Sequence, residues 1–218
     1  MIFLYNLVGP VGLWIAGGYG GDEFEPSATV EFIAENNSNS QLVPDLPQPI
    51  SQSPSMFLHN ETIILCGGFN NLKTCLKLQE GTWTEYTSMK RERDKAAVVS
   101  TTTATFIFGG WRNKDTYEYL ENNAFEWKLG TANITDGFKS GCTIAISQDE
   151  IWLIGGTRTE QRILSFNVEN QNFTELPMKL KQGRNGHQCA FHSGWQKLLQ
   201  VMKGSRRNPL TPGRWDHM

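Results

Sequence analysis

Four short apolar segments that each end in a glycine pair predict an all-β fold built from repeated four-stranded sheets. The pairs are Gly17-Gly18, Gly67-Gly68, Gly109-Gly110 and Gly155-Gly156, and successive pairs lie 50, 42 and 46 residues apart. This period is typical of the four-stranded blade of a β-propeller. A bulky side chain stands three residues before each pair, at Trp14, Ile64, Phe106 and Trp152. The same position is therefore bulky in every repeat, as expected for a repeated packing position. This repeat predicts a β-propeller.

The composition fits a folded chain that is rich in β structure. Among 218 residues, 39% are apolar, 11% are aromatic and 21 are glycine, which is enough for a sizeable core and many tight turns. The formal net charge of −2 argues against a generally basic nucleic-acid-binding protein. Residues 1–16 are mostly apolar, but they have no basic start and are broken by Gly9-Pro10 and Gly12. They predict strands rather than a signal peptide or a membrane span. From the net charge and from this segment together, we expect neither nucleic acid nor a membrane as a partner.

Alternating apolar residues and turn signals predict four strands, a to d, in every repeat. In the first repeat we expect them near residues 2–7, 13–16, 28–34 and 42–46. In the second repeat they are expected near 54–60, 62–66, 74–78 and 82–86. The third repeat gives 96–102, 104–108, 116–120 and 124–129, and the fourth gives 141–147, 151–154, 163–168 and 172–176. No segment has a helical period.

Aromatic residues recur at fixed places after the glycine pairs. Trp83 and Trp127 stand on the expected strand d of the second and third repeats, and Phe166 and Phe173 stand seven residues apart in the fourth. With the glycine pairs, they make the chain resemble the kelch repeat, in which Gly-Gly is followed by an aromatic on strand c and a tryptophan on strand d. The resemblance covers most of the chain and implies a kelch-type β-propeller.

The chain departs from the kelch pattern at three places. Leu76 and Leu120 occupy the aromatic position of strand c, and Val43 is the best match to the first tryptophan. The resemblance implies blades at about 1–47, 53–87, 95–130 and 139–177, a partial fifth blade at about 185–204, and an irregular tail at 205–218. We therefore expect an incomplete propeller of four four-stranded blades plus a partial fifth, whose open edges favour self-association.

No residue is predicted to carry catalysis. The histidines, His59, His187, His192 and His217, lie outside any GxSxG or HExxH motif, and no carboxylate pair recurs at a spacing suited to acid–base chemistry. The cysteines form no CxxC motif and no zinc-finger spacing with histidine. The glycine pairs lack the context of phosphate-binding loops and are expected to be structural, where the chain turns and backbone comes close. We therefore expect no metal and no cofactor.

Charged residues are divided unevenly between the two ends of the predicted sheets. In blades two to four, the b-to-c and d-to-a connections share one end and carry thirteen cations against five acids, although the whole chain has a formal net charge of −2. Aromatic residues follow three of the glycine pairs at this end, and arginine and aromatic side chains are enriched in binding hot spots. The alternative is that the loops are simply solvated and each aromatic packs on its own blade. We expect this end to bind an acidic peptide or protein surface through Arg91, Arg93, Arg112, Arg158, Arg184, Trp111, Phe69 and Tyr19.

The four cysteines leave the redox state and the compartment open. Cys142 and Cys189 occupy equivalent places in neighbouring repeats, and buried free thiols are their expected state. Cys66 and Cys75 face each other if Asn70-Asn71 forms a hairpin turn, and an oxidising compartment could then link them; reduced core thiols are the favoured alternative. A cytoplasmic location is slightly favoured, but secretion stays open, since N-glycosylation sequons occur at Asn36, Asn60, Asn133 and Asn172.

Two functions from different classes are consistent with these observations. The first is a non-enzymatic kelch-repeat scaffold that presents its b-to-c and d-to-a loops to a protein partner. It predicts free thiols and measurable affinity for acidic peptides. The second is a secreted or lumenal carbohydrate-processing propeller, such as a sugar isomerase or oxidase. It requires a polar pocket in a closed ring, and a Cys66–Cys75 disulfide would support it.

Overall fold

The structure is a computed structural model that describes residues 3–5, 12–20, 25–34, 40–53, 55–59, 62–69 and 73–189. Regular secondary structure in these ranges consists of β-strands alone. None of the described residues belongs to a helix long and apolar enough to cross a membrane. The strands are β1 (Phe3–Tyr5), β2 (Gly12–Ala16), β3 (Tyr19–Gly20), β4 (Glu25–Pro26), β5 (Val30–Ala34), β6 (Ser40–Leu42), β7 (Ser55–His59), β8 (Thr62–Cys66), β9 (Cys75–Gln79), β10 (Thr82–Glu85), β11 (Ala97–Ser100), β12 (Ala104–Phe108), β13 (Tyr117–Glu121), β14 (Lys128–Leu129), β15 (Cys142–Ala145), β16 (Glu150–Ile154), β17 (Ile163–Asn167) and β18 (Phe173–Glu175).

These strands form four antiparallel sheets of four strands each. Sheet I contains β1, β2, β5 and β6 in that order, sheet II contains β7 to β10, sheet III contains β11 to β14, and sheet IV contains β15 to β18. Each sheet is an up-and-down meander, because strands that follow one another within it are paired neighbours. The short strands β3 and β4 form a separate ribbon inserted between β2 and β5. The all-β prediction is therefore confirmed.

The strands lie close to the positions that the sequence pattern predicts. β8 and β12 have the predicted bounds, β16 and β17 differ from theirs by one residue at one end, and β13 is shifted by one residue. The fourth strands fit less well, since β6 ends at Leu42, where a strand is expected to begin, and β14 has only two residues. The β3–β4 ribbon is an addition that the pattern does not predict. Residues 185–189, at the start of the expected fifth unit, form no strand, and residues 190–218 lie outside the described ranges.

The middle strands of sheets II and III are buried on both faces. All five residues of β12 are buried, and Phe106 and Phe108 pack with residues of sheet IV while Ile107 packs with residues of sheet II. In β8, Ile64 belongs to the cluster shared with sheet III and Ile63 to the cluster shared with sheet I. Successive side chains of a strand point to opposite faces. Each of these sheets is therefore packed between the sheet before it and the sheet after it.

An aromatic cluster joins sheets III and IV. Phe166 on β17 is fully buried, and its ring centroid lies 5.0 Å from that of Tyr117 and 5.2 Å from that of Phe108, in edge-to-face contacts. Phe173 on β18 lies 4.8 Å from Phe166. Edge-to-face pairs add stabilisation beyond their buried area. The two aromatic residues that the sequence analysis singles out in the fourth repeat thus form the contact between these sheets.

Two buried tryptophans connect a sheet to the one before it. Trp83 Nε1 donates a hydrogen bond to the Pro44 carbonyl over 2.9 Å, and Trp127 Nε1 donates to the Thr87 carbonyl over 3.2 Å. A buried indole N–H needs an acceptor, and each acceptor lies just after the last strand of the preceding sheet. The tryptophan therefore has the same role in sheets II and III.

Each glycine pair contacts the connection that leads into the next sheet. The eight glycines have positive φ values, from 59° to 66° at the first glycine and from 98° to 111° at the second. The N–H of Gly110 donates to the Phe138 carbonyl over 2.9 Å, and the other second glycines make equivalent bonds to Ile50, Arg93 and Arg184. A Cβ on Gly109 would overlap the Phe138 carbonyl, and one on Gly110 would lie 2.9 Å from the Asp94 carbonyl. The missing side chains allow neighbouring sheets to approach, as the structural role predicted for the pairs requires.

Gly109→Ala is expected to destabilise the fold by more than about 3 kcal/mol, because the alanine must adopt a positive φ and its Cβ must displace the Phe138 carbonyl. Gly81→Ala is the matched control: Gly81 also has a positive φ, of 74°, but a Cβ there meets nothing within 4 Å. The control should cost about 1 kcal/mol. Urea unfolding followed by tryptophan fluorescence measures both. Equal losses would contradict the role assigned to the close contact.

Candidate functional site

Connections of sheets II, III and IV meet around Trp111. This residue directly follows the glycine pair of sheet III, and it is 58% exposed. Lys139 Nζ lies 3.5 Å from the centroid of the ring, and Lys95 Nζ lies 5.4 Å from it. Lys95 stands in the connection into sheet III and Lys139 in the connection into sheet IV. The exposed ring is therefore flanked by cations from two separate connections.

Lys139 lies in a positive field. Burial lowers the pKa of its ammonium group, and the charges of Arg158, Lys95 and Lys114 lower it further, while Asp94 opposes the shift. Like charges at short range disfavour each other's charged form, and a bound anion relieves that repulsion. We call Trp111, Lys95, Lys114, Lys139 and Arg158 the Trp111 cluster. Its electrostatics favour an anionic ligand.

Five described cations outside the cluster pair with an acid, whereas those of the cluster do not. Arg112 lies 3.4 Å from Glu92, Lys90 pairs with Glu126, and Arg162 pairs with Asp136 and Glu175. Within the described ranges, none of the four cations of the cluster forms an ion pair. Their charge is therefore available to a partner.

Backbone hydrogen bonds fix the cluster in place. The N–H of Trp111 donates to the Asp94 carbonyl over 2.9 Å, and the N–H of Thr157 donates to the Lys139 carbonyl over 2.9 Å. The equivalent bond in sheet II joins Phe69 N–H to the Ser51 carbonyl over 2.8 Å. The residue after a glycine pair is thus bonded to the connection that enters its own sheet. Aromatic residues and cations are held in a regular order along this end of the sheets.

Arg93 is not a surface residue, so the prediction that it contacts a partner is wrong. Its side chain is fully buried and its Nε donates to Glu118 Oε1 over 3.0 Å. The same guanidinium donates to the carbonyls of Gly109 and Thr116 over 2.6 and 3.1 Å. Glu118 is also fully buried and accepts the N–H groups of Lys90 and Arg91. Each buried charge requires a charged partner and further hydrogen bonds, and the two side chains supply these to each other and take the rest from the backbone. The pair therefore fixes the connection into sheet III on its buried side.

The other predicted contact residues are exposed. Phe69 is 55% exposed and Tyr19 is 48% exposed, which disagrees with the alternative that these rings pack into their own sheets. Tyr19 Oη accepts a hydrogen bond from Gln52 Nε2 over 2.5 Å. Arg91, Arg112, Arg158 and Arg184 are exposed at the same end of the sheets. Of these four arginines, the structure brings Arg158 close to Lys139.

Lys95, Lys114 and Lys139 are members of the cluster that the predicted set of contact residues omits. That set gives preference to arginine, because arginine is the commoner hot-spot residue. Lys95 and Lys139 stand two and three residues before the first strand of the next sheet. Their matching positions in the repeat, directly before strand a, are the sequence signal that indicates them.

An open groove of about 530 Å³ lies beside the b-to-c connection of sheet IV. Arg162 crosses it and forms ion pairs with Asp136 at 3.4 Å and Glu175 at 3.0 Å. The third lining carboxylate, Glu160, accepts the N–H of Arg158 over 2.9 Å, and this bond lowers the pKa of the Glu160 carboxyl. All three carboxylates are therefore held in structural contacts.

All four cysteines are paired in the structure. Cys66 on β8 is bonded to Cys75 on β9, its register partner, with Cα atoms 4.0 Å apart. Cys142 on β15 is bonded to Cys189, 47 residues later, with Cα atoms 5.8 Å apart. The structure thus differs from the expectation of free thiols at Cys142 and Cys189. The reason is that equivalent places in neighbouring repeats lie within disulfide reach, since the chain after sheet IV runs alongside that sheet.

His187 lies beside the Cys142–Cys189 pair. Its ligand atoms and those of the two cysteines all lie within 4.8 Å of one another. Burial lowers the pKa of the His187 imidazole, the charge of Arg184 adds to this shift, and the Ile154 carbonyl opposes it. Neither ring nitrogen makes a hydrogen bond of normal geometry to a described residue. The three side chains form the cysteine–histidine cluster.

Comparisons with known proteins show the fold but not the family. No protein-family model matches the chain, and no curated protein matches it. A solved structure titled "Structure of YjhT" superposes with a TM-score of 0.62 at 9% sequence identity. The match covers 83% of this chain and 69% of that protein. Four successive antiparallel sheets are thus a known arrangement, which the two chains share without detectable sequence similarity.

Arg93→Lys is expected to destabilise the protein by about 3 kcal/mol, because an ammonium group cannot reproduce the buried fork of hydrogen bonds to Glu118 and the neighbouring carbonyls. Arg91→Lys is the matched control in the same connection, and its exposed side chain should change stability by less than about 0.5 kcal/mol. Thermal and urea unfolding of both variants measure the difference. An equal loss of stability in the two variants would contradict the structural role assigned to the buried Arg93–Glu118 pair.

Proteolysis of the unreduced protein is expected to yield two disulfide-linked peptide pairs, Cys66 with Cys75 and Cys142 with Cys189. Alkylation before digestion blocks exchange between thiols, and mass spectrometry identifies the linked peptides. A reduced aliquot of the same digest is the control, and it should show four alkylated cysteines. Linkage of Cys66 to Cys142 or Cys189 would contradict the structure, because Cys66 lies in sheet II whereas Cys142 lies in sheet IV and Cys189 in the segment that follows it.

Proposed function

We propose that the chain forms all or part of a kelch-type β-propeller that binds a protein partner and is not an enzyme. The radial arrangement is supported by contacts between first strands: β11 contacts both β7 and β15. Thr143 Oγ1 on β15 donates to the Val98 carbonyl on β11 over 3.1 Å. Strands at the axis of a propeller meet in this way, one from each blade. Repeated glycine pairs and tryptophans between successive sheets add to this support.

The Trp111 cluster is the observation that carries the binding proposal. A half-exposed indole flanked by Lys95 and Lys139 offers apolar area and positive charge at the same place. Lys114 and Arg158 add positive charge, and neither forms an ion pair with a described acid. The partner that fits is a peptide or loop rich in aspartate and glutamate, whose carboxylates would bind the cations while an apolar side chain covers the ring. Phe69 and Tyr19 extend this surface along sheets II and I.

The disulfides support an oxidising compartment for the proposed function. Structural disulfides are rare in the cytosol and common in secreted proteins. This observation also favours the second candidate, a secreted or lumenal carbohydrate-processing propeller. The groove beside sheet IV supports that candidate less, because two of its carboxylates are ion-paired and the backbone hydrogen bond to Glu160 lowers the pKa of that carboxyl, whereas a general acid needs a raised pKa. We therefore favour a secreted or lumenal binding protein.

A fluorescein-labelled peptide rich in glutamate is expected to bind the protein with an affinity that falls as salt rises, because exposed charges are screened. Lys139→Gln should weaken binding by about threefold to tenfold. Trp111→Ala should weaken it by at least as much, through lost contact area and lost order among the flanking lysines. Fluorescence anisotropy measures all three effects.

The matched control for this measurement is Lys128→Gln. It removes the same single charge from an exposed lysine of β14, which pairs with Glu121 outside the Trp111 cluster. Affinity should change little in this variant. If Lys139→Gln and Lys128→Gln weakened binding equally, the affinity would depend only on the net charge of the protein, and the proposed surface would be wrong.

A further inference from the structure

We propose that Cys142, Cys189 and His187 form a redox-dependent zinc site, which binds Zn²⁺ when the disulfide between the two cysteines is reduced. Two thiolates and one imidazole are a ligand set that Zn²⁺ prefers, and a fourth position remains for water or another ligand. This inference does not depend on the binding function proposed above. It concerns the reduced form of the protein, whereas the structure shows the oxidised form.

The geometry of the three side chains suits a tetrahedral ion. Zinc binds sulfur at about 2.3 Å and imidazole nitrogen at about 2.0 Å, so neighbouring ligands of one ion lie about 3.5 to 3.8 Å apart. The ligand atoms here already lie within 4.8 Å of one another. Reduction only has to let the two sulfurs separate from their bond, which small side-chain rotations permit. Cys142 is fixed in β15, and His187 and Cys189 approach it from the segment after sheet IV.

The surroundings of His187 leave it available as a ligand. Both ring nitrogens are buried atoms that lack a hydrogen bond of normal geometry with the described residues, which is costly for a polar group unless something else satisfies it. Gly155 provides the space for the ring, since a Cβ there would lie 2.7 Å from His187 Cε1. The nearby Ile154 carbonyl is placed to accept the N–H of the nitrogen that does not bind metal, as is usual for zinc-bound histidine.

The second disulfide of the chain lacks these features and serves as an internal comparison. Cys66 and Cys75 are fully buried in the cluster between sheets II and III. Within the described ranges, the cysteine–histidine cluster is where three potential metal ligands come together. Cys189 is partly exposed, whereas Cys66 and Cys75 are not. A dithiol reductant therefore reaches the Cys142–Cys189 bond more easily.

The reaction balances with a dithiol reductant and no other reagent. One thiolate of the dithiol attacks a sulfur of the Cys142–Cys189 bond and forms a mixed disulfide, and the second thiolate of the reductant then displaces the protein sulfur. Two electrons pass to the protein, and the dithiol becomes a disulfide. The two protein thiols lose their protons to water as Zn²⁺ binds their sulfurs together with His187. The sum is one disulfide, one dithiol and one Zn²⁺ giving the zinc dithiolate, the oxidised reductant and two protons.

The consequence is that the segment after sheet IV keeps its place in both oxidation states. That segment bonds to sheet IV through Gly156 N–H and the Arg184 carbonyl over 2.9 Å. The disulfide fixes it covalently under oxidising conditions, and the metal would fix it by coordination after reduction. The link between sheet IV and the chain that follows is thus retained in either redox environment.

Cobalt titration of the full chain tests the site. The protein is reduced with a dithiol, desalted under argon and titrated with Co²⁺, whose thiolate charge-transfer and tetrahedral d–d absorption bands report its ligands. We expect one equivalent to bind the reduced protein, Zn²⁺ to displace it, and the oxidised protein to bind none. Cys142→Ser with Cys189→Ser should abolish the bands. His187→Gln should weaken Co²⁺ binding by about tenfold or more.

The control variant carries Cys66→Ser with Cys75→Ser, and it should keep the Co²⁺ bands. Circular dichroism shows whether each variant is folded. As a measurement that needs no variant, the reduced wild-type protein is alkylated with and without Zn²⁺ and analysed by mass spectrometry. Zn²⁺ should slow the alkylation of Cys142 and Cys189, whereas the alkylation of the fully buried Cys66 and Cys75 should not change with Zn²⁺. Absence of Co²⁺ binding, bands that survive Cys142→Ser with Cys189→Ser, or alkylation of Cys142 and Cys189 that Zn²⁺ leaves unchanged would each overturn the proposal.

Discussion

The close contact between each glycine pair and the connection into the next sheet is the constraint on which the rest of the structure depends. The second glycine of a pair donates its N–H to that connection, and the space of two absent side chains brings the backbones together. The N–H bond occurs at all four pairs, although a Cβ on Gly18 would meet nothing within 4 Å. It sets the distance between neighbouring sheets, and the aromatic and aliphatic clusters between them fill that distance.

The candidate binding surface is a product of the same contacts. In sheets II, III and IV the residue after the glycine pair bonds to the connection that enters its own sheet, and it is thereby held outside the sheets at one end. Phe69 and Trp111 are therefore exposed although they are large and partly apolar, and Tyr19 after the first glycine pair is exposed as well. Lysines from neighbouring connections flank the Trp111 ring. The backbone contacts that pack the sheets thus also position the exposed side chains of this surface.

The fold was predictable from the sequence because its main signals are local. Glycine spacing, the alternation of apolar residues and turn signals each lie within a few residues, and they locate most strands to within a residue or two. The buried position of Arg93 is not local. It stands in a run of six charged residues, 90–95, where no alternation of apolar residues distinguishes inside from outside, and its partner Glu118 lies 25 residues away. The bond between Cys142 and Cys189 likewise depends on how the chain returns past sheet IV.

The Arg93–Glu118 pair has a consequence for how this surface can change over time. Glu118 holds the backbone N–H groups of Lys90 and Arg91 from inside, so the course of that loop is determined by the core and not by its own exposed side chains. Substitutions at those outward positions can alter charge and shape without moving the main chain. Recognition at this end of the molecule is therefore free to diversify while the architecture beneath it stays the same.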